Sequence, residues 1–275
     1  MTTSYVKTNR VFTPLRKYAW LFVPLAAFGG LWYPKLGLLI IPLMLTLMIM
    51  GFFKGKYWCG NYCPHGSLFD FIIMPVSKFT KIPLFMKHKL LAALVLTWFM
   101  YTLISRLIEA FAQFGSATFL DQLGYAFVFN YFIVTVVGSA LALTISPRTW
   151  CSFCPMSTFE SFTYKLGKLL RANKRTDEKI TMTNTDDCRA CGKCSRVCPM
   201  QLAPYQEFSE NNQFDSEACI RCSTCVANCP AGILTLANKA TALQIKEDAL
   251  AKNANNKEVT GIREKETRYD SASGL

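Results

Sequence analysis

The polarity of this chain changes once, sharply, near its middle. Nearly all long apolar runs lie before about residue 147, and beyond about residue 171 the chain turns polar and charged. Four apolar segments stand out, at 18–33, 36–53, about 90–108 and about 125–145. Each approaches the ~20 residues that a helix needs to cross the hydrocarbon of a bilayer. Tyr33-Pro34-Lys35 leaves room for only a tight turn between the first two. That first pair is short, so local thinning or a re-entrant hairpin stays open beside two full spans. The pattern predicts an all-α membrane domain of four transmembrane helices, built as two hairpins, followed by a small α+β domain. The expected divisions are an N-terminal segment 1–17, a membrane domain 18–170, a soluble domain 171–237 and a polar tail 238–275. In the tail the sequence suggests a helix near 240–252 and disorder beyond it.

Charge orients the membrane domain. Lys7, Arg10, Arg16 and Lys17 precede the first apolar segment. Lys54, Lys56, Lys78, Lys81, Lys87 and Lys89 fill the loop between the second and third, and Arg148, Lys165, Lys168, Arg171, Lys174 and Arg175 follow the fourth. The opposite side carries little beyond Lys35, with Arg106 and Glu109 near the end of the third segment. By the positive-inside rule both termini face the cytoplasm of a multi-pass inner-membrane protein. The net charge of +12 is then largely topological, and a nucleic-acid partner is not needed to explain it. The first twenty residues show no small-residue cleavage site after a short apolar core, so no cleavable signal peptide is expected.

All twelve cysteines fall on the cytoplasmic side, where thiolates stay reduced and free to bind metal. Eight of them form a repeat: Cys188-x-x-Cys191-x-x-Cys194-x-x-x-Cys198-Pro199, then Cys219-x-x-Cys222-x-x-Cys225-x-x-x-Cys229-Pro230. Each cysteine of the second run lies 31 residues after its counterpart. This is the spacing of a bacterial-type ferredoxin, in which two-residue gaps wrap three irons of a cubane and the fourth cysteine ligates the other cluster. The pattern therefore assigns one [4Fe–4S] cluster to Cys188, Cys191, Cys194 and Cys229. A second [4Fe–4S] cluster falls to Cys219, Cys222, Cys225 and Cys198. A zinc site also uses Cys-x-x-Cys, but seldom four cysteines per run, twice, each closed by Cys-Pro. Arg189, Lys193, Arg196 and Arg221 lie in or beside these loops, as tuning charges, a docking face or a plain solvated face.

The other four cysteines form a second repeat. Trp58-Cys59-x-x-x-Cys63-Pro64 follows the second apolar segment and Trp150-Cys151-x-x-Cys154-Pro155 the fourth. The residues from Cys63 to Phe71 align with those from Cys154 to Phe162. A pseudo-twofold arrangement of the two hairpins would bring both motifs together. Cys59, Cys63, Cys151 and Cys154 would then make a further redox-metal site, most plausibly iron–sulfur. A redox-active thiol set, a metal-handling site and buried structural turns remain alternatives.

On these motifs the chain resembles the membrane-bound polyferredoxin family. That family includes NapH-type subunits of nitrate reductase systems, the methylamine-utilisation ferredoxin, the membrane part of the nitrous-oxide-reductase regulator and cytochrome-oxidase assembly ferredoxins. The resemblance covers about residues 15–235. It implies electron transfer between a membrane quinone pool and a redox partner, with Cys59, Cys63, Cys151 and Cys154 at the positions of the family's motif cysteines. The second motif departs from the pattern, with two residues between its cysteines in place of three.

Only His65 and His88 are present, both on the cytoplasmic side, so no transmembrane haem with paired histidine ligands is expected. His65 is the better candidate for handling a proton beside a quinone, although a plain interfacial histidine is the commoner case. Asp70 and Glu160 could accept quinol protons, although solvated interfacial carboxylates are the commoner case. Arg106 and Glu109 suggest a local salt bridge or snorkelling, and most of Trp20, Trp32, Trp58, Trp98 and Trp150 an aromatic belt. The function this predicts is outer-sphere electron relay, in a subunit of an oxidoreductase complex rather than a stand-alone enzyme. The partners are a quinone or membrane redox subunit and a soluble redox protein. The rival is a ferredoxin-like reductant for assembly of a metalloenzyme such as a terminal oxidase. A redox sensor would need an output domain, which the sequence does not show.

Overall fold

The structure is a computed structural model that describes residues 5–10 and 12–251. Three of its helices are long and apolar enough to cross a membrane: Pro34–Lys54, Lys89–Ala112 and Phe119–Thr144. Each contains an apolar segment of the sequence and extends it to the nearest cap or breaker. Pro34 starts the first, through a 3-10 turn that runs into Ile40–Lys54. His88 caps the second, accepting the Leu90 N–H at Nδ1. Large apolar side chains on these helices stay exposed, among them Leu45, Ile49, Leu94, Tyr101, Ile108 and Val136. Such a surface suits lipid rather than water.

The first apolar segment is not one regular helix. Residues 14–32 form short α turns broken by a 3-10 turn at Ala19–Leu21 and a π turn at Leu25–Gly29. Pro24 and the Gly29-Gly30 pair account for the breaks, since proline removes an N–H and glycine gives up helix propensity. The run still buries Val23, Ala26 and Ala27 against Ile40 and Tyr131.

The 34–54 and 119–144 helices meet where both lack side chains. A Cβ on Gly37 would strike the Gly124 carbonyl, and one on Gly124 the Pro34 carbonyl. Small residues at a membrane helix crossing allow this backbone approach. Beyond each motif a further helical segment folds back, at residues 64–73 and at Pro155–Leu169. These two segments are exchanged. Residues 64–73 pack on the 119–144 helix, with Phe69 against Gly138 and Ala142. Pro155–Leu169 packs on the 34–54 helix, with Thr163 and Glu160 against Gly51. Each hairpin unit thus completes the other.

The C-terminal part is built on an antiparallel pair, Lys179–Met182 with Leu234–Ala237, in the register Lys179↔Ala237 to Met182↔Leu234. Its core holds Ile180, Met182, Phe214, Cys225, Ile233 and Leu234. Polar ties seat it on the helices. Arg221 donates to the Lys54 carbonyl and pairs with Asp177 at 2.7 Å. Gln201 bridges the Thr80 carbonyl and the Ile82 N–H, both at 2.8 Å. Arg221 is therefore a buried tether and not part of a solvated basic face, whereas Arg189, Lys193 and Arg196 are exposed.

Two further expectations change. Arg106 does not pair with Glu109; its guanidinium lies over Phe129, 3.7 Å from the ring centroid, because the 119–144 helix presents that face to it. Residues 239–251 form a helix, close to the expected span, while residues 252–275 lie outside the described residues.

Replacing Gly124 with leucine should destabilise the helix pair by about 1–3 kcal/mol, since a backbone carbonyl cannot move aside. Thermal unfolding in detergent would report this as a lowered midpoint, and an unchanged midpoint would contradict the crossing.

Candidate functional site

The two ferredoxin-type loops share a backbone device. Ala190 and Gly192 in the first, and Arg221 and Ser223 in the second, all have positive φ, at 47°, 67°, 53° and 58°. The pairs are 31 residues apart, so the sequence repeat is also a conformational repeat. Left-handed backbone at non-glycine residues is costly and gathers at functional sites. Alternating turns of this kind make concavities of N–H groups that suit anions. Backbone N–H groups do reach the sulfurs: Arg221 donates to Cys219, and Met200 and Leu202 to Cys198. Burial nevertheless dominates, pushing the Cys219 and Cys198 thiols up to about 11 and about 12.

Two cavities lie within these loops. Cys188, Cys191, Cys194 and Cys229 line one. Cys198, Cys219, Cys222 and Cys225 line another. Each takes three cysteines from one run and one from the other, the same sets of four that the spacing pairs. Among the described residues no three His, Cys, Asp or Glu side chains converge on a single ion position. Four sulfurs spread around a cavity fit a cubane, whose irons separate its ligands, better than one zinc with sulfurs at about 2.3 Å.

The remaining cysteines also come together. Cys59, Cys63, Cys151 and Cys154 line a single cavity at the ends of the long helices. Local sequence explains half of this geometry. Cys63 and Cys154 are N-cap residues, and Pro64 and Pro155 occupy the first helical position, where a missing N–H costs nothing. The freed N–H groups turn to sulfur, from Gly66 to Cys63 and from Met156 and Ser157 to Cys154. Burial still raises these thiols, to about 11 and about 12. Cys59 donates to Glu160 Oε2 at 2.8 Å, while the Trp58 N–H bonds Oε1 at 3.0 Å. Glu160 is fully buried, and burial lifts its carboxyl to about 7.

Beside this cavity sits a knot of charge. Asp70 is 1 % exposed and faces three arginines, none of which is more than 2 % exposed. Arg16 and Arg148 contact Oδ2, Arg148 at 2.5 Å, and Arg10 Nη1 lies 3.5 Å from Oδ1. Burial alone would raise the Asp70 carboxyl, but the guanidiniums of Arg148, Arg16 and Arg10 outweigh it and hold the carboxyl well below the usual carboxylate range. The same arginines grip the first motif. Arg16 donates to the Gly60 carbonyl, and Arg148 donates to the Cys59 carbonyl at 3.1 Å and to Cys151 Sγ at 3.6 Å. A side chain at Gly60 would strike the Ile220 carbonyl, so this loop lies directly on the Cys219–Cys222 loop. Asp70 and Glu160 are therefore structural ion and hydrogen-bond centres, not solvated interfacial carboxylates.

His65 is buried too, not interfacial, and its pKa falls to about 3 through desolvation. Its Nε2 meets Thr135 Oγ1 at 2.9 Å, and Thr135 donates its own proton to the Tyr131 carbonyl. Nε2 must then carry the hydrogen, which leaves Nδ1 as the acceptor. The large cavity continues from the cysteines and His65 past Leu43, Leu47, Phe99 and Leu103 between the membrane helices. Three buried donors on its wall, Trp58 Nε1, Trp150 Nε1 and Tyr131 OH, have no hydrogen-bond partner. Trp58 and Trp150 thus line the cavity rather than a surface belt. A buried donor without a partner is uncommon, and these three fit a bound group that carries acceptor atoms.

Taken together, the fold and its sites are those of an iron–sulfur electron-transfer protein of the 4Fe–4S ferredoxin type, with three helices long and apolar enough to cross a membrane. Comparison with known families agrees. A 4Fe-4S dicluster domain matches residues 180–230, and a 4Fe-4S binding domain matches twice, at 36–83 and 128–174. The second domain falls on the two hairpin units and includes their cysteine motifs. The chain is 26% identical over 180 residues to the methylamine utilization ferredoxin-type protein MauN of Methylobacillus flagellatus, covering 60% of this chain and 58% of that one. Two uncharacterized proteins of Methanocaldococcus jannaschii are also 26% identical, over 211 and 192 residues. These matches cover 69% and 68% of this chain and 75% and 67% of the relatives. No solved structure matches the chain.

Replacing Asp70 with asparagine would leave three buried guanidiniums without their carboxylate. Loss of one partner from a buried ion set typically costs about 3–5 kcal/mol. The variant should accumulate poorly or unfold at markedly lower temperature, whereas an unchanged melting profile would show that the knot carries no stability.

Proposed function

We propose that this chain relays electrons between a membrane quinone pool and a soluble redox partner through three iron–sulfur sites. Two are [4Fe–4S] clusters, one on Cys188, Cys191, Cys194 and Cys229, the other on Cys219, Cys222, Cys225 and Cys198. The third is held by Cys59, Cys63, Cys151 and Cys154. A cluster supplies a one-electron carrier with little reorganisation of the protein around it.

The observation that carries this reading is adjacency. Cys59 and Cys222 are buried in one apolar cluster with Met200 and Ile220, and Cys151 and Cys198 pack against it. The membrane quartet therefore abuts one ferredoxin quartet, which abuts the other through their shared core. The apolar end of the large cavity, between helices, suits the ring and tail of a lipid-soluble quinone. Oxidation of a quinol releases two electrons and two protons. His65 lines the same cavity, where burial disfavours its imidazolium, so it would pass a quinol proton on rather than hold it, and the unpartnered Tyr131, Trp58 and Trp150 donors suit quinone oxygens or cluster sulfurs.

Residues 18–170 form the membrane domain in this reading, with the broken 14–32 run as a fourth and short crossing. Residues 171–237 form the ferredoxin domain, and the tail begins at 238. The basic loops support an orientation in which both termini and all three sites face the cytoplasm at the inner membrane.

Iron and sulfide analysis with EPR should separate the wild type from Cys59→Ser and Cys151→Ser, each variant losing about four irons while keeping about eight. About eight irons in all three proteins would remove the third site. In proteoliposomes, quinol should reduce the clusters of the wild type and do so far more slowly in a His65→Ala variant. No reduction by any quinol of matched potential would count against the quinone link.

A further inference from the structure

Arg10 is the least explained member of the charge knot. It is wholly buried, and none of its three guanidinium nitrogens makes a hydrogen bond. Its supports are the 3.5 Å approach to Asp70 and the ring of Phe79, 5.0 Å from its guanidinium carbon. Asp70 is already held by Arg16 and Arg148, so one carboxylate faces three cations and the knot keeps a net charge of +2 (three minus one). Burying an uncompensated cation costs several kcal/mol even after relaxation. The fold tolerates Arg10 here only if a further anion lies near.

The chain path leads to the ferredoxin loops. The N-terminal segment runs across the ferredoxin loops before it enters the membrane domain. Val6 donates its N–H to the Arg196 carbonyl at 3.0 Å, between Cys194 and Cys198. Thr8 Oγ1 meets Asn228 Oδ1 at 3.2 Å, next to Cys229. Arg10 follows. It shares Asp70 with Arg16, Arg16 donates to the Gly60 carbonyl, and a Cβ on Gly60 would lie 3.1 Å from the Cys222 backbone nitrogen. Cys198 packs against the apolar cluster that buries Cys222.

We propose that Arg10 is the built-in counter-charge of the cluster held by Cys198, Cys219, Cys222 and Cys225, raising its reduction potential relative to the cluster on Cys188, Cys191, Cys194 and Cys229. Reduction adds one negative charge to a cluster, and a fixed cation beside it in a medium of low dielectric stabilises that added charge. Arg10 touches no reacting atom and is a positioning charge. Because it makes no hydrogen bond, its charge matters here and the fork geometry of arginine does not. The inference rests on the ligand sets proposed above.

The test is an EPR-monitored redox titration of the purified protein, wild type against Arg10→Gln and Arg10→Lys, with iron content measured on each. In Arg10→Gln one cluster step should move to lower potential, about tenfold in its oxidised-to-reduced ratio at fixed potential, or about 59 mV for one electron, while the other cluster step stays. Arg10→Lys keeps the cation and should stay within a few-fold of the wild type. Burial predicts that the shift survives high salt, since only exposed charges are screened. Equal movement of both steps, no movement in Arg10→Gln, or a shift abolished by salt would overturn the proposal. So would a tenfold fall in Arg10→Lys, which decides the matter if Arg10→Gln does not accumulate. A wild type with fewer than about eight irons would instead overturn the ligand sets on which the proposal stands.

Discussion

One buried carboxylate organises this molecule. Asp70 lies on the segment that follows the first motif, yet its partners come from the N-terminal segment and from the end of the 119–144 helix. Through Arg16 and Arg148 it fixes the carbonyls of Gly60 and Cys59, and Arg148 continues to the Cys151 sulfur. A buried ion set is seldom the cheapest way to stabilise a core. Its use here is better explained by position. It sits where three pieces of chain must meet for four distant cysteines to share one cavity, and in the proposed relay it would bring positive charge beside sites that ligating thiolates make negative.

The exchange of helical segments serves the same end. Each motif is followed by a segment that packs on the other unit's long helix, so neither motif reaches its final geometry without the other. The units are not identical. Cys59 stands in a helical turn, Tyr57–Asn61, and bonds Glu160, whereas Cys151 stands in a 3-10 turn, Trp150–Ser152, and faces Arg148. The shorter spacing of the second motif accompanies this difference. The two ends of the quartet thus meet opposite charges.

Much of this was legible in the sequence, and the limits are physical. Local signals carried well: the 31-residue repeat pairs the same sets of four cysteines that line the two cavities, while the matched left-handed positions and the helix starts at Pro64 and Pro155 appear only in the structure. The three long helices extended the apolar runs because caps and breakers, not hydropathy, set their ends. The 14–32 run kept the apolar pattern but not the regular helix, for proline and paired glycines override periodicity. Long-range contacts left no local trace. Arg10, Arg16 and Arg148 read only as topological charge, and Asp70 and Glu160 as solvated carboxylates, because their partners lie tens of residues away. One clue was available: the loop from Lys54 to Lys89 uses lysine alone, while the buried positions are arginine, the residue suited to hold two acceptors at once.

The contact between Gly60 and Ile220 has a kinetic meaning. With the first motif loop pressed onto a ferredoxin loop and Arg221 tied to Lys54, the ferredoxin unit is not a shuttle on a leash. Electron passage along the chain would then be insensitive to viscosity and to protein concentration, because nothing has to swing. Diffusion would enter only at the far end, around Cys191, the exposed cysteine of the twelve. In the proposed relay, a soluble partner would do the travelling there.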